Sequence, residues 1–422
     1  MFDSWRDYLE IIRWICSTAM GLMMLTFFYD VFLIICGIPK NRQLDNISAT
    51  YQPPKTRFAI LISARDEESV IGRLVDNLQN LDYPKELYQV FVIADNCQDR
   101  TAALARAAGA QVYERHDPSK ATKGYALSWF FQKSLTGPLK DFDHCVIFDA
   151  DNLVDPDFLK IMDRHVQAGS RLLVGFRDSS NPGANAIAGA NALFWYFQSR
   201  FMHQARGRLG LSLTSVSGTG FSFDLDLIRD RGWHTQTLTE DVEFTMQMIL
   251  QGVQGVYVRQ AVFYDEQVTD FKQMMRQRLR WSVGTVQTLR LYGPALWRRA
   301  LKMDWHLLDS FWFLARIPVM LVAAIFYVIV LLIRLTDPSF VPRMLAFDLL
   351  GPILGYLATV ALLAYLVKSE KRSLKTFSAG VLAFPILGML WGGIQVAALF
   401  YNNVSWQPIY HGQEVEVSSN FD

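Results

Sequence analysis

The chain has 422 residues, room for two or three domains, with 41 Lys and Arg against 40 Asp and Glu. A net charge of +1 supplies no electrostatic footprint for nucleic acid and no reason to expect a strongly acidic partner. The four cysteines, Cys16, Cys36, Cys97 and Cys145, show no C-x-x-C spacing, which speaks against a zinc site or a disulfide framework and leaves free thiols.

Residues 14–38 are apolar apart from Asp30, with Glu10 and Arg13 before them and Lys40 and Arg42 after. About 20 apolar residues span a bilayer, so one crossing is expected here. The run is too long for a signal peptide, and Cys36-Gly37-Ile38-Pro39 is a poor cleavage site. Asp30 is expected at the cytoplasmic interface, as an interfacial residue and not a functional one. Residues 41–56, polar with Pro53-Pro54, read as a linker.

From Arg57 short apolar runs alternate with helical segments. Strands are expected over 58–63, 90–94 and 111–113, and helices from about Glu67-Glu68, over 101–108 and around 123–133. A further strand, Val146-Ile147-Phe148, runs into Asp149-Ala150-Asp151. This alternation predicts an α/β fold with a doubly wound, mostly parallel sheet. Side chains alternate along an extended strand, so Asp149 and Asp151 are expected on one side, at the carboxyl edge where such sheets bind ligands. Two hard oxygen donors suit Mg²⁺ or Mn²⁺. The same residues also fit an Asx-rich turn that needs no metal. Polar strand ends recur at 63–67 and 95–99, as a nucleotide site requires. Neither G-x-G-x-x-G nor G-x-x-x-x-G-K-[ST] is present, so a dinucleotide fold and a P-loop are unsupported.

Further along, Phe194-Trp195-Tyr196-Phe197 reads first as packing. Gly218, Thr219, Gly220 and Phe221 allow close backbone approach to a ligand, or simply a turn. Thr239-Glu240-Asp241 precedes an amphipathic segment, with Thr239 as a candidate helix cap. Gln277-Arg278-Leu279-Arg280-Trp281 lies in a basic helical stretch that alone would be a solvated face. Residues 291–303 resemble a helix lying in the membrane interface. Long apolar segments follow at about 311–333, 349–367 and 376–401, giving about four crossings in all. The basic loop 368–375 is expected in the cytoplasm, which places residues 41–303 there and both termini outside. Arg316, with Phe311, Trp312 and Phe313, fits a sugar-lined mouth or a snorkelling arginine in an aromatic belt equally well. The closing residues 406–411 suggest no mechanism.

The ordered set Ser63-Ala64-Arg65-Asp66-Glu67, Asp95, Lys123-Gly124, Asp149-x-Asp151, Thr239-Glu240-Asp241 and Gln277-x-x-Arg280-Trp281, followed by apolar helices, resembles the processive family-2 inverting glycosyltransferases of the cellulose, chitin and hyaluronan synthase group. The resemblance covers about residues 57–300. It implies a GT-A-like fold, divided as follows: a membrane helix over 1–42, a cytoplasmic catalytic domain over 43–285, an interfacial helix over 286–306, three membrane helices over 307–403 and a tail. It implies that Ser63, Ala64, Arg65, Glu67 and Asp95 frame the nucleotide, and that Lys123, Gln277 and Arg280 hold its diphosphate. Asp149 would hold the nucleotide sugar and Asp151 an Mg²⁺ or Mn²⁺ ion. Asp241, beside Glu240, would be the general base, and Trp281 with Gly218, Thr219, Gly220 and Phe221 would line the acceptor site. Only one crossing precedes the catalytic region, and no cyclic-dinucleotide-binding domain is evident after it, both departures from several members of the group.

The function expected on this basis is polymerisation of a UDP-sugar, UDP-glucose or UDP-N-acetylglucosamine, into a β-linked polysaccharide exported across a bacterial plasma membrane. Accessory export subunits or self-association would accompany it, and no nucleic acid is involved. The alternative is a non-processive transferase that glycosylates a membrane lipid. A transporter or scaffold with a degenerate enzyme domain fits less well, because the carboxylates at 149, 151 and 241 are intact.

Overall fold

A computed structural model describes residues 5–38, 53–302, 304–334, 341–402 and 404. Residues 41–52 of the expected linker and the closing segment 406–411 lie outside them. A long helix, α1 (Trp5–Gly37), comes first. It is followed by β1 (Phe58–Ala64), α2 (Ile71–Leu78), β2 (Tyr88–Asp95), α3 (Thr101–Ala107), β3 (Gln111–Arg115), α4 (Lys123–Ser134) and β4 (His144–Asp149). These are the strands and helices the sequence pattern predicts, to within a few residues.

Along β1, Phe58, Ile60 and Ile62 enter one apolar cluster and Ala59 and Leu61 enter another. Both faces of the strand are therefore buried, which is why it reads as a continuous apolar run. β1 pairs in parallel with β2 and β4, with Ser63 opposite Asp149 and Ala64 opposite Ala94. That register brings Ser63, Asp95 and Asp149 to one carboxyl edge.

The second half of the sheet comes from β5 (Leu153–Val154), β6 (Leu172–Ser179), β7 (Phe221–Asp224) and β8 (Gly255–Asp265), with α5 (Phe158–Gln167) covering one face. The strand order is β3-β2-β1-β4-β7-β6-β8-β5. Four of the seven pairings are parallel, so the sheet is mixed with a parallel majority.

Helix α6 (Ala186–Phe197) is capped by Asn185, whose side chain accepts from the amides of Ile187 and Ala188. It continues as a π-helix over Gln198–Gln204 into α7 (Ala205–Arg208). Next in order are α8 (Glu240–Leu250) and α9 (Phe271–Ala300), the latter a single helix running through residue 285, where the sequence reading ends the catalytic domain. The chain closes with α10 (Trp305–Arg334), α11 (Val341–Ser369) and α12 (Leu374–Ala398). Among the described residues three helices are long and apolar enough to cross a membrane, at Trp305–Val330, Leu350–Ser369 and Leu374–Ala398. The sequence predicts a fourth crossing near the start; the apolar stretch described there is the shorter Phe27–Gly37.

The apolar helices share a core with the sheet domain. Leu33, Leu363, Leu366, Phe377 and Val381 belong to the same buried cluster as Leu61 and Ile147. α12 crosses α6 at two glycines, where a methyl group on Gly380 would lie 2.4 Å from the Gly189 carbonyl carbon. The turn between α11 and α12 is tied down by charge. Arg372 pairs with Asp178 at the end of β6, and Glu370 pairs with Arg259 and, at 3.7 Å, with Arg200. Asp178, Arg200 and Glu370 are nearly solvent-free, and removing one partner of such a pair is costly.

Candidate active site

The carboxyl ends of β1, β2 and β4 open onto a cavity of about 640 Å³, a size typical of ligand sites. Two of these three strands turn sharply as they leave the edge. Asp66 after β1 and Asn96 after β2 adopt left-handed backbone angles, φ 55° and 56°, which short polar side chains tolerate.

Ser63, Ala64, Arg65, Glu67 and Asp95 line one end of the cavity. Asp95 is buried between two guanidinium groups, Arg65 and Arg115, the latter donating to Oδ1 at 2.5 Å. Arg65 also donates to the carbonyl oxygens of Asp95 and Ala121, both at 3.0 Å. Asp95 thus fastens two loops together at the cavity wall.

Lys123, first residue of α4, donates to Asp149 and, at 2.8 Å, to the Gly218 carbonyl. Burial disfavours its ammonium, but Asp149, Glu240 and Asp241 outweigh burial and hold its pKa above the ordinary lysine value. Asp149 and Asp151 border the cavity on the adjacent side.

Glu240 and Asp241 occupy the first turn of α8, where the helix dipole favours anions. Burial pushes Glu240 up to about 7, against the pull of Lys123 and with the help of the Asp241 charge. Burial likewise raises Asp241, whose Oδ2 accepts from the Ser215 hydroxyl at 3.3 Å. Thr239 holds the cap position by backbone only. Its hydroxyl makes no hydrogen bond, contrary to the capping expected from sequence. The loop entering α8 is fastened instead by Glu243, which accepts from the amides of Gln236 at 2.8 Å and Thr237 at 2.7 Å.

Gln277, Arg280 and Trp281 project into the same cavity from α9. Trp281 stacks on Phe194 at 6.4 Å and meets Trp195 edge-on at 5.6 Å, so the aromatic run of α6 is part of the cavity wall as well as packing. Behind it Arg278 is buried against the rings of Phe194, Trp281 and Trp391 and donates to Asn191 Oδ1 at 2.6 Å. Burial, with Arg177 nearby, pushes its pKa down to about 9.

Three expected acceptor residues do not reach the cavity. Phe221 begins β7 and stacks on Phe223 in the core. Gly220, at φ 64°, is required because a methyl group there would lie 2.0 Å from the Phe263 ring. The Thr219 hydroxyl is fully buried and accepts from the Asp149 amide at 2.9 Å while bonding Asn152. Only Gly218 of that segment borders the cavity.

Two residues that the sequence reading passed over belong here. Arg177, at the end of β6, grips buried Asp265, at the end of β8, with Nε at 3.0 Å and Nη2 at 2.7 Å. The Arg177 guanidinium also lies 3.9 Å from the centre of the Trp195 ring. Asn152 donates to Asp265 at 2.9 Å, which ties the turn carrying Asp149 and Asp151 to the second half of the sheet.

Elsewhere, Asp66, Cys97 and Asp99 bring ligand atoms within 4.8 Å of one another. Both carboxylates are taken up by backbone amides, of Gln98 at 2.7 Å and Glu68 at 3.0 Å, and burial pushes the Cys97 thiol up to about 11. These hydrogen bonds clasp the loops after β1 and β2 together. All four cysteines are free thiols, as expected.

The cavity does not stop at the sheet. Its far end is lined by Asp30 of α1, by Phe313, Arg316, Ile317 and Met320 of α10, and by Phe384, Gly388, Trp391, Gly392 and Gln395 of α12. One continuous space joins the acidic strand ends to the apolar helices.

The chain is similar to two beta-monoglucosyldiacylglycerol synthases. That of Trichormus variabilis is 26% identical over 316 residues, 72% of this chain and 62% of that protein. That of Synechocystis is 29% identical over 283 residues, 62% of this chain and 54% of that protein. The chain therefore spans less than two thirds of the length of these curated relatives. Its fold matches a mannosyltransferase from Pyrobaculum calidifontis, solved in complex with GDP-Man and Mn²⁺, at TM-score 0.51 and 14% identity, covering 92% of this chain and 98% of that one. Residues 53–284, more than half of the chain, match the family described as glycosyltransferase like family 2. The fold, the acidic strand ends and this match agree, and the chain belongs to glycosyltransferase family 2, the sugar transferases of GT-A-like fold.

Proposed function

We propose that the protein transfers a hexosyl group from a UDP-sugar to the hydroxyl of a membrane lipid, with inversion at the anomeric carbon. The observation that carries this reading is the continuous cavity, with carboxylates and cations at one end and the apolar helices α10 and α12, with Asp30 of α1, at the other. An acceptor rising out of the bilayer reaches the donor through it. Similarity to two lipid glucosyltransferases supports the same reading over the polymerase expected from sequence.

In this mechanism Ser63, Arg65, Glu67 and Asp95 hold the nucleotide, and Lys123, Gln277 and Arg280 hold the diphosphate. Asp149 and Asp151 fit Mg²⁺ or Mn²⁺, since both offer hard oxygen donors at the cavity wall. When bound, such an ion supplies charge neutralisation for the departing diphosphate. Asp241 takes the acceptor proton as the acceptor oxygen attacks the anomeric carbon and UDP leaves from the opposite face. Burial suits it to this task, because a carboxylate of raised pKa is a stronger base. No enzyme carboxylate needs to bond to the sugar, unlike in retaining glycosidases.

The basic loop 368–375 supports a cytoplasmic catalytic domain within a plasma membrane. Arg372 and Glu370 of that loop bind the sheet domain directly, so the loop and the domain share one side. A second reading, growth of a β-linked polysaccharide, is favoured by the aromatic wall of Phe194, Trp195, Trp281 and Trp391, which suits a sugar face.

Incubation of purified protein with labelled UDP-glucose, Mn²⁺ and dioleoylglycerol decides between them. A single glycolipid product is expected. Labelled polymer formed without lipid would overturn the lipid reading, and no transfer from any UDP-sugar would overturn both.

A further inference from the structure

At the membrane end of the cavity, charge is concentrated among apolar side chains. Asp30 of α1 pairs with Arg316 of α10. Next to them Arg206 of α7 holds Asp309 of α10 with Nε at 2.7 Å and Nη2 at 3.1 Å, and the Tyr29 hydroxyl donates to the same Asp309. Asp30, Arg206 and Arg316 all line the cavity, and their neighbours there include Phe313, Ile317 and Met320.

The two pairs differ in what they leave free. Arg206 and Asp309 satisfy each other and are almost solvent-free, as a structural pair should be. Asp30 and Arg316 remain about a third exposed, at 30% and 33%, while the Asp30 oxygen that does not meet Arg316, Oδ1, is itself buried without a hydrogen-bond partner. The exposed part of this pair thus sets an accepting carboxylate beside donating guanidinium groups at the cavity wall. A hydroxyl does both, so one hydroxyl-bearing group can bridge them. The four side chains Asp30, Asp309, Arg206 and Arg316 carry charges that sum to zero. A phosphate needs an excess of positive charge to offset its desolvation, and among the described residues this end of the cavity offers none.

We propose that Asp30 and Arg316 form an acceptor subsite that selects a neutral, hydroxyl-bearing lipid headgroup over an anionic one. This rests on the lipid-acceptor reading above and names the class of lipid. The two side chains act on the acceptor alone; the donor is held at the opposite end of the cavity.

The test uses the full-length protein in mixed micelles with labelled UDP-glucose and two acceptors, dioleoylglycerol and dioleoylphosphatidylglycerol, both hydroxyl-bearing. Wild type should prefer dioleoylglycerol. Asp30→Asn leaves Arg316 uncompensated, so KM for dioleoylglycerol should rise about ten-fold or more and the preference should move toward phosphatidylglycerol, while UDP affinity stays unchanged. Arg316→Gln should raise the same KM without that shift, and Arg316→Lys should recover part of the loss. A merely structural pair would lower stability, and with it all activities together, without altering the ratio of the two acceptors. An unchanged ratio in Asp30→Asn protein that still binds UDP would overturn the subsite. Failure of wild type to glycosylate either lipid would overturn the lipid reading itself, a distinct result.

Discussion

The Lys123 ammonium lies 4.0 Å from Glu240 Oε1, so the cation beside the acidic strand end and the first acid of α8 act on each other across the cavity. Glu240 is nevertheless pushed up to about 7, because burial outweighs the attraction.

That shift predicts a stability effect. An acid with a higher pKa in the folded than in the unfolded chain, here about 7 against 4.5, keeps a proton that the unfolded chain has lost. Its contribution is greatest below the unfolded value and declines as pH rises through the folded one. Glu240→Gln should therefore melt at a higher temperature than wild type by a margin that grows between about pH 5 and pH 8. Differential scanning calorimetry across that range checks it, and a constant margin would contradict the buried, protonated Glu240.

Asp241→Asn should lower the transfer rate by about 10²–10⁴ while sparing UDP binding, since removal of a base leaves the donor contacts in place. Single-turnover kinetics and calorimetric titration with UDP separate the two. Equal loss of both would assign Asp241 to donor binding instead.

Chelation with EDTA should abolish transfer, and Mn²⁺ should restore it. Asp151→Ala should raise the Mn²⁺ concentration needed for half-maximal rate by about ten-fold or more, as loss of a charged ligand does. Rate against Mn²⁺ concentration is the measurement, and an unaltered requirement would remove Asp151 from the ion's ligands.

Gly220→Ala should destabilise the protein by about 2–4 kcal/mol, from a forced contact with the Phe263 ring and a left-handed backbone. Urea unfolding reads this directly. Gly218→Ala, with open contacts no closer than 3.6 Å, should cost about 1 kcal/mol, the backbone contribution alone.

Arg177→Ala should cost about 3–5 kcal/mol by leaving Asp265 buried without its charge partner. Adding Asp265→Ala should recover part of that loss, and a double-mutant cycle gives the coupling. Simple additivity would mean that the pair is not coupled.

The first half of the sheet was legible because its parallel strands are buried on both faces and read as short apolar runs between helices. Asp95, Lys123, Asp149 and Asp241 could be placed at one site from the order of their motifs. Arg177 and Asp265 escaped notice because they end β6 and β8, whose strand signals, Leu172-Leu173-Val174 and the partly alternating burial of Gly255–Asp265, carry no recognisable motif. Phe221 was misplaced for the opposite reason. The glycines before it suggest a ligand loop, but its side chain follows the strand alternation into the core with Phe223. The ion pair of Asp30 with Arg316 joins residues 286 positions apart, a partnership no local pattern encodes.

The turn joining α11 to α12 gives the molecule a practical indivisibility. Cutting the chain after α9 to obtain a water-soluble enzyme would strip Asp178, Arg200 and Arg259 of their counter-charges and bare the face of α6 on which Gly380 rests. The shortened protein would be expected to precipitate, so biochemistry on this transferase belongs in detergent or nanodiscs from the outset.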